Sequence, residues 1–287
     1  MNIRDLLIKA AAQLEKAGSA SPRLDAEVML AAYLNTDRLE LYKAPEKILG
    51  PEEAAGFGAW LERRRQGEPV AYIVGVKEFW SLPFKVSPAV LIPRPETEIL
   101  VEEALAVAKE AIPPVRRILE IGVGSGAISV ALAKELPAAC LTATDLEAGA
   151  LSLARENACR LGVEERITFL RGHLFAPLSG TFDMIVSNPP YIAAAEFARL
   201  PKGVKDYEPR AALLAGESGT ACHREIIAGC GRLLREGGWL LMEMGEGQGA
   251  EITGLLKQRT DFVNIAIRRD YGGVERVIRA RKAGAIG

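Results

Sequence analysis

The sequence predicts an α/β fold: a seven-stranded, mainly parallel sheet ending in an antiparallel hairpin, placed behind a small N-terminal helical domain. Three observations carry this expectation. Helical periodicity fills residues 1–70. A β-branched and aromatic stretch from Val70 to Val90, punctuated by Gly75 and Pro83, follows it. From Arg117 onward, short apolar runs alternate with helical stretches at the spacing of βαβ units.

In chain order, Ile3, Leu6, Leu7, Ala10 and Leu14 fall on one helical face, and Gly18 ends that element. Ser21 before Pro22 starts a second helix, because proline is tolerated at the first position and serine can cap it. Leu24, Val28, Ala31 and Ala32 are its expected apolar stripe. Pro51-Glu52-Glu53 opens another helix toward Gln66, with carboxylates near its positive end. The stretch from Val70 to Val90 reads as a hairpin bridging two domains. The expected division is therefore a helical domain at 1–70, a hairpin linker at 71–92 and the α/β domain at 93–287.

Arg94-Pro95-Glu96 then leads into a helix carrying Ile99, Leu100, Ala104 and Leu105. Strands are expected at Arg117–Ile121, Leu141–Asp145, Ile167–Leu170, Met184–Ser187, Trp239–Glu243, Val263–Arg268 and Val274–Arg279. Helices are expected at Ala127–Leu136, Ala148–Leu161, His223–Leu234 and Gln248–Lys257. Only Asp270-Tyr271-Gly272-Gly273 separates the last two strands, too short for a parallel crossover, so they should pair antiparallel.

Composition bounds the function. With 49% hydrophobic and 25% charged residues, the chain should bury a core and not be disordered. Lys plus Arg (36) balance Asp plus Glu (37), which suits a protein or small-molecule partner better than a polyanion. A direct nucleic-acid substrate is not expected. Cys140, Cys159, Cys222 and Cys230 have no C-x-x-C spacing and only His173 and His223 beside them, so no metal site is expected. Reduced thiols in a cytoplasmic protein are the plain reading. Arg4 and Asp5 interrupt the first apolar stretch, which argues against a signal peptide, and no apolar run approaches the roughly 20 residues of a membrane span. Nothing in the sequence points to a stable oligomer, and a monomer is expected.

Glu120-Ile121-Gly122-Val123-Gly124-Ser125-Gly126 ends the first strand of the alternating region. Such glycines let backbone N–H groups and a helix start come close to a ligand. The G-x-G-x-G spacing is one residue tighter than the dinucleotide fingerprint. Asp145 ends the next strand, where a carboxylate can accept hydrogen bonds from ribose hydroxyls. An NAD site would use a similar carboxylate, and Asp145 can also be read as a helix cap ahead of Ala148. The constellation points to a nucleoside cofactor, S-adenosyl-L-methionine ahead of NAD.

Phe182 to Ser187 is an apolar strand that runs straight into Asn188-Pro189-Pro190-Tyr191. An amide nitrogen is a poor nucleophile, because its lone pair is delocalised into the carbonyl. A site that methylates one should offer acceptors to its N–H groups. The Asn188 side-chain oxygen and the Pro189 carbonyl can serve, kept in aim by proline rigidity. Tyr191 can pack over the planar acceptor and favour a nearby sulfonium. The plain alternative is a rigid proline turn with Tyr191 as ordinary core; the glycine turn upstream argues against it.

At these residues the chain resembles the release factor glutamine methyltransferase family, the PrmC/HemK type. The resemblance also rests on Gly67–Ile73, Glu78-Phe79-Trp80, Ile92-Pro93-Arg94-Pro95-Glu96-Thr97-Glu98, Glu208–Leu213 and Asp270–Gly273, and it runs to the end of the chain. It implies a Rossmann-like methyltransferase sheet behind a helical domain that helps grip a class I peptide chain release factor. It further implies methylation of the Gly-Gly-Gln glutamine on its side-chain nitrogen. By the same resemblance, Gly122, Val123, Gly124, Ser125, Gly126 and Asp145 hold the cofactor. Leu174 flanks the adenine, and Asn188, Pro189, Pro190 and Tyr191 hold the glutamine, with Asn188 also near the cofactor. Arg94 and Thr97 are expected at the cofactor's methionine end. His173 stands where the family usually has aspartate, and His223 where tyrosine is common. Neither histidine is expected to act as a base; surface or helix-packing roles fit both. A nucleic-acid base methyltransferase is the alternative, since Asn-Pro-Pro-Tyr also suits the amino group of a flipped base. A binding module that keeps the fold without catalysis is the third reading, and the intact motifs count against it.

Overall fold

Residues 1–284 are described by a computed structural model. They divide into two units, Met1–Val76 with Pro201–Tyr207, and Lys77–Leu200 with Glu208 onward. In the first unit, α1 (Ile3–Lys16) buries Ile3, Leu6, Leu7, Ala10 and Leu14, the face expected from its period. Asn2 caps it by accepting the Asp5 N–H at 2.8 Å.

The next helix, α2 (Pro22–Tyr33), departs from expectation. It buries Asp25, Ala26, Glu27, Met29, Leu30 and Ala31, while Leu24 is 46% exposed. The buried face is turned because both of its acids are satisfied. Asp25 accepts from the Ser19 and Ser21 hydroxyls and pairs with Arg64 at 2.8 Å. Glu27 takes Arg23, Arg38 and Tyr42. Ser21 thus spends its hydroxyl on Asp25 and makes no side-chain cap. Around this face pack α3 (Arg38–Lys43) and α4 (Pro51–Arg65), with Leu14, Met29, Leu30 and Phe57 in one cluster. The stretch read as a hairpin from Val70 opens instead with a helix, α5 (Val70–Val74), whose Tyr72 and Ile73 are buried and which Gly75 ends at φ 79°. The β-branched composition concealed it. The hairpin itself is β1 (Val76–Phe79) and β2 (Leu82–Lys85).

The second unit holds the sheet. After α6 (Glu98–Glu110) come β3 (Arg117–Ile121), α7 (Ala127–Glu135), β4 (Cys140–Asp145), α8 (Ala148–Arg160), β5 (Ile167–Arg171) and β6 (Phe182–Ser187). Two short helices follow, α9 (Ala194–Phe197) and α10 (Lys202–Lys205), the latter in the segment that clusters with the first unit. Then come α11 (Ala221–Cys230), β7 (Leu234–Glu243), α12 (Gly249–Lys257), β8 (Phe262–Arg269) and β9 (Glu275–Lys282). The strand order is β5-β4-β3-β6-β7-β9-β8, parallel except where β9 pairs antiparallel with β7 and β8. This is the expected seven-stranded sheet with its antiparallel hairpin. The largest boundary shift is at β7: the strand expected from Trp239 begins at Leu234, which pairs with Phe182, and the helix expected to reach Leu234 stops at Cys230.

Alternation along the strands fills two cores. Ile118, Met184, Val186, Leu241 and Val277 face a cluster with α6, α7 and α8. Leu119, Ile121, Ile185, Leu240, Met242 and Ile278 face the other, with α11 and α12. No helix among the described residues is long and apolar enough to cross a membrane.

At the amino edge, Asp183 ties neighbouring strands together. Its Oδ2 accepts the Arg116 and Arg117 N–H groups at 2.6 and 2.8 Å, and Oδ1 meets Arg235 at 2.7 Å. Removing the carboxylate strands both backbone donors and a guanidinium. Asp183→Ala should therefore cost about 2 kcal/mol in urea unfolding. Because the site lies at the opposite edge, cofactor affinity should stay unchanged; an equal loss in both would contradict this.

Candidate active site at the carboxyl edge of the sheet

The strand order reverses between β3 and β6, the place where open α/β sheets bind ligands beyond their carboxyl ends. A cavity of about 270 Å³ opens there. The ends of β3, β4 and β6 supply Glu120 and Ile121, Thr144 and Asp145, and Ser187 and Asn188 to its wall.

The glycine loop is pinned from β4, as the Gly122 and Val123 N–H groups both donate to the Thr144 carbonyl, at 2.9 and 3.0 Å. Gly122 and Gly124 take φ of 76° and 53°, conformations that side chains disfavour. A Cβ built on either meets no protein atom within 4 Å, so the space beside them is the cavity itself. Asp145 accepts the Gly124 N–H at 3.0 Å through Oδ2 and the Glu147 N–H at 3.0 Å through Oδ1. Glu147, not Asp145, occupies the cap position of α8.

Of the residues expected around the cofactor, Gly122, Val123, Gly124, Ser125, Asp145, Leu174 and Asn188 line the cavity, as do Arg94 and Thr97. Gly126 does not. Its φ is 82° and its missing side chain lets α7 start against α8, where a Cβ would lie 3.2 Å from Ala154 Cα. Of the residues expected at the acceptor, Asn188, Pro189 and Pro190 line the cavity and Tyr191 does not. The Tyr191 ring backs onto Gly245, and its hydroxyl donates to Glu243 Oε1 at 3.3 Å. It lies behind the loop.

Several contacts fix that loop. The Ser187 hydroxyl donates to the Ile121 carbonyl at 2.8 Å, and Asn188 Nδ2 donates to Thr97 Oγ1 at 3.1 Å. Gln248 Nε2 donates to the carbonyls of Tyr191 and Gly219 at 2.8 and 3.2 Å. Glycine is required at 219, since a Cβ there would sit 2.6 Å from the Tyr191 carbonyl. The two quoted motifs around Arg94 and Glu208 hold each other. The Arg94 guanidinium pairs with buried Glu208, which also accepts the Ile92 N–H at 3.2 Å. Pro93 and Arg94 are thereby fixed in the cavity wall, which Pro209 also lines.

Sequence reasoning assigned no role to Glu120 or Glu243. Glu120 is the penultimate residue of β3 and Glu243 the last of β7, each an acid directly after apolar residues, and that interruption was the available signal. Both are 1% exposed. Burial pushes the Glu120 carboxyl up to about 8, against the pull of the Ser129 hydroxyl that donates to it. Burial likewise pushes Glu243 up to about 7, with Thr97, Arg276 and Tyr191 pulling the other way. The histidines take the bland places expected of them. His173 is 64% exposed and lies 3.8 Å from Glu225. His223 is fully buried on α11, its Nε2 2.8 Å from the Glu243 carbonyl, and burial lowers its pKa.

Comparison with known proteins places this arrangement. The family described as "PrmC N-terminal domain" matches residues 5–75, and "Methyltransferase small domain" matches residues 96–200. A release factor glutamine methyltransferase of Geobacter sulfurreducens is 43% identical over 97% of this chain and 96% of that protein. One from Vibrio cholerae is 46% identical over 96% of each. Among solved structures, a methyltransferase from Pyrococcus furiosus aligns with a TM-score of 0.52 at 18% identity, over 72% of this chain and 92% of that one. A ribosomal protein L11 methylase from Lactobacillus delbrueckii subsp. bulgaricus aligns at 0.50 and 21%, over 69% and 84%. These last two are likenesses of fold. With identity above 40% along nearly the whole chain, a sheet of the expected topology and a glycine-loop cavity at its switch point, this chain belongs to the release factor glutamine methyltransferase family, enzymes that use S-adenosyl-L-methionine.

Proposed function

We propose that this chain methylates the side-chain nitrogen of the glutamine in the Gly-Gly-Gln motif of class I peptide chain release factors, in the cytoplasm. The observation that carries the reading is the Asn188 amide, held by its own Nδ2 on Thr97 within the wall of the glycine-loop cavity. With Nδ2 committed, Oδ1 remains as an acceptor for an incoming N–H.

The residues present fit the cofactor. Asp145 keeps acceptor capacity for ribose hydroxyls beyond its two backbone bonds. Gly122 and Gly124 leave open space for a close ligand, and Leu174 offers an apolar edge. Glu120 is a buried carboxyl in the cavity wall, bonded by the Ser129 hydroxyl and in no ion pair among the described residues, which suits the ammonium of a methionine moiety. When bound, the cofactor supplies an electrophilic methyl group on a sulfonium.

The chain's own residues prepare the acceptor. Asn188 Oδ1 and the Pro189 carbonyl accept hydrogen bonds from the two glutamine N–H groups and raise electron density on the nitrogen as its bond to carbon forms. The two prolines hold that aim without rearrangement. The methylated amide is acidic and gives its extra proton to water, so neither histidine is needed as a base. The helical domain at residues 1–70 acts as the grip on the release factor, and the enzyme works as a monomer.

Incubation with radiolabelled cofactor should label a class I release factor and spare its Gly-Gly-Ala variant. Label on nucleic acid and not on the factor would overturn the assignment. Asn188→Ala should slow turnover roughly 100- to 1,000-fold, with cofactor affinity nearly unchanged.

Glu120 gives a test of its own. It is mostly protonated below about pH 8 in the free protein, and a bound ammonium favours its ionised form. Cofactor binding near pH 6.5 should therefore release close to one proton, falling toward none above about pH 9. Calorimetry in buffers of different ionisation enthalpy measures this, and Glu120→Gln should abolish it. A proton release that persists in Glu120→Gln would refute the role.

A further inference from the structure

One buried side chain joins the glycine loop to the hairpin. Asn157 lies on α8, is fully buried, and uses both protons of its amide. Nδ2 donates to the Ser125 carbonyl at 2.9 Å and to the Lys85 carbonyl at 3.0 Å, while Oδ1 accepts the Lys85 N–H at 2.8 Å. Lys85 ends β2, and the amide pairs with both of its backbone groups as a neighbouring strand would. Ser125 is buried in the cavity wall between Gly124 and Gly126. Gly126 lets α8 come this close, since a Cβ there would lie 3.2 Å from Ala154 Cα, about one helical turn before Asn157. Three backbone groups from two separate segments thus depend on one carboxamide.

We propose, on the reading above that the glycine loop holds the cofactor, that Asn157 is a positioning residue for cofactor binding. Through the Ser125 carbonyl it keeps the loop in the form that receives the ligand. The first half of the loop is tied to β4, by the Gly122 and Val123 N–H groups on Thr144 and the Gly124 N–H on Asp145. Asn157 holds the second half. Gly122, Gly124 and Gly126 have φ of 76°, 53° and 82°, and they carry no side chains to restrain them. Cutting the tie at Ser125 therefore lets the loop relax into other forms. The cofactor then binds only the fraction that remains competent, and its apparent affinity falls by that fraction. Once the cofactor is bound the loop is in its working form, so turnover at saturating cofactor is preserved.

The linkage is reciprocal. A cofactor that stabilises the loop also stabilises the Asn157 bonds, and with them the hairpin edge at Lys85. The same two elements have a second, outer joint, since the Lys85 ammonium pairs with Glu156 at the surface. That pair supplies a control, because cutting it loosens α8 from β2 and leaves the Ser125 bond in place.

The test measures S-adenosylhomocysteine affinity by calorimetry, with kcat and cofactor KM, in Asn157→Ala, Asn157→Asp and Glu156→Gln. Asn157→Ala should weaken S-adenosylhomocysteine roughly 10- to 100-fold and raise cofactor KM alike, with kcat at saturating cofactor within about threefold of wild type. Asn157→Asp fills the same space and keeps an acceptor for the Lys85 N–H, but it sets an oxygen against two carbonyls and should lose at least as much. Glu156→Gln should stay within about twofold. Hydrogen exchange on the wild-type chain needs no variant and decides the matter should the variants fail to fold. Saturating S-adenosylhomocysteine should slow the Lys85 amide about tenfold, together with the glycine loop. Normal affinity in Asn157→Ala or Asn157→Asp, an equal loss in Glu156→Gln, a fall in kcat with affinity unchanged, or a Lys85 amide indifferent to the ligand overturns this role. Each of these leaves the assignment of the glycine loop standing. Gly124→Val, which puts a branched side chain into the cavity, tests that assignment separately, and undiminished binding there would bring it down.

Discussion

An amide can meet another amide as donor or as acceptor, and both faces of Asn188 have the same shape. Shape alone cannot choose between them. The hydrogen bond from Asn188 Nδ2 to Thr97 makes the choice, and much of the second unit serves to hold its two ends in place. Thr97 stands at the start of α6, a helix seated by Ile99, Leu100 and Ala104 in one core of the sheet. Asn188 leaves β6, whose six residues are all buried and whose last, Ser187, is tied to β3. The polar choice is thus made by two rigid elements, as preorganised sites require.

The two edges of the sheet divide the labour. At the amino edge, Asp183 pairs fully with two N–H groups and an arginine, so its burial stabilises the strands it joins. At the carboxyl edge, Glu120 and Glu243 are buried with less compensation, and both carboxyls are pushed up toward neutrality. Since their folded values lie above the usual 4.5, each removes stability as pH rises from there through about 8 and 7 respectively. That destabilisation is the mark of groups kept for a ligand or a neighbour and not for folding.

Much of this was legible in the sequence. Period-2 and period-3.6 patterns located all seven strands, because burial of one face or both leaves a direct trace in residue type. The glycine loop and Asn188 to Tyr191 were found because they are contiguous. Where satisfaction of polar groups decided the outcome, pattern failed. The face of α2 turned because Asp25 and Glu27 find partners as distant as Arg64 and Arg38. The helix α5 was hidden by its β-branched residues, and the close approach of Gly126 to Ala154 joins two segments that the sequence leaves apart. Thr97 and Asn188 meet from segments 91 residues apart, a juxtaposition that only the folded chain makes.

The most direct test of the account is a crystal structure of this enzyme with S-adenosylhomocysteine and a release factor bearing its Gly-Gly-Gln loop. The account predicts the glutamine nitrogen within about 3 Å of both Asn188 Oδ1 and the Pro189 carbonyl, with Asn188 Nδ2 still on Thr97. A glutamine nitrogen held by other groups, or an Asn188 amide turned to accept from Thr97, would contradict it.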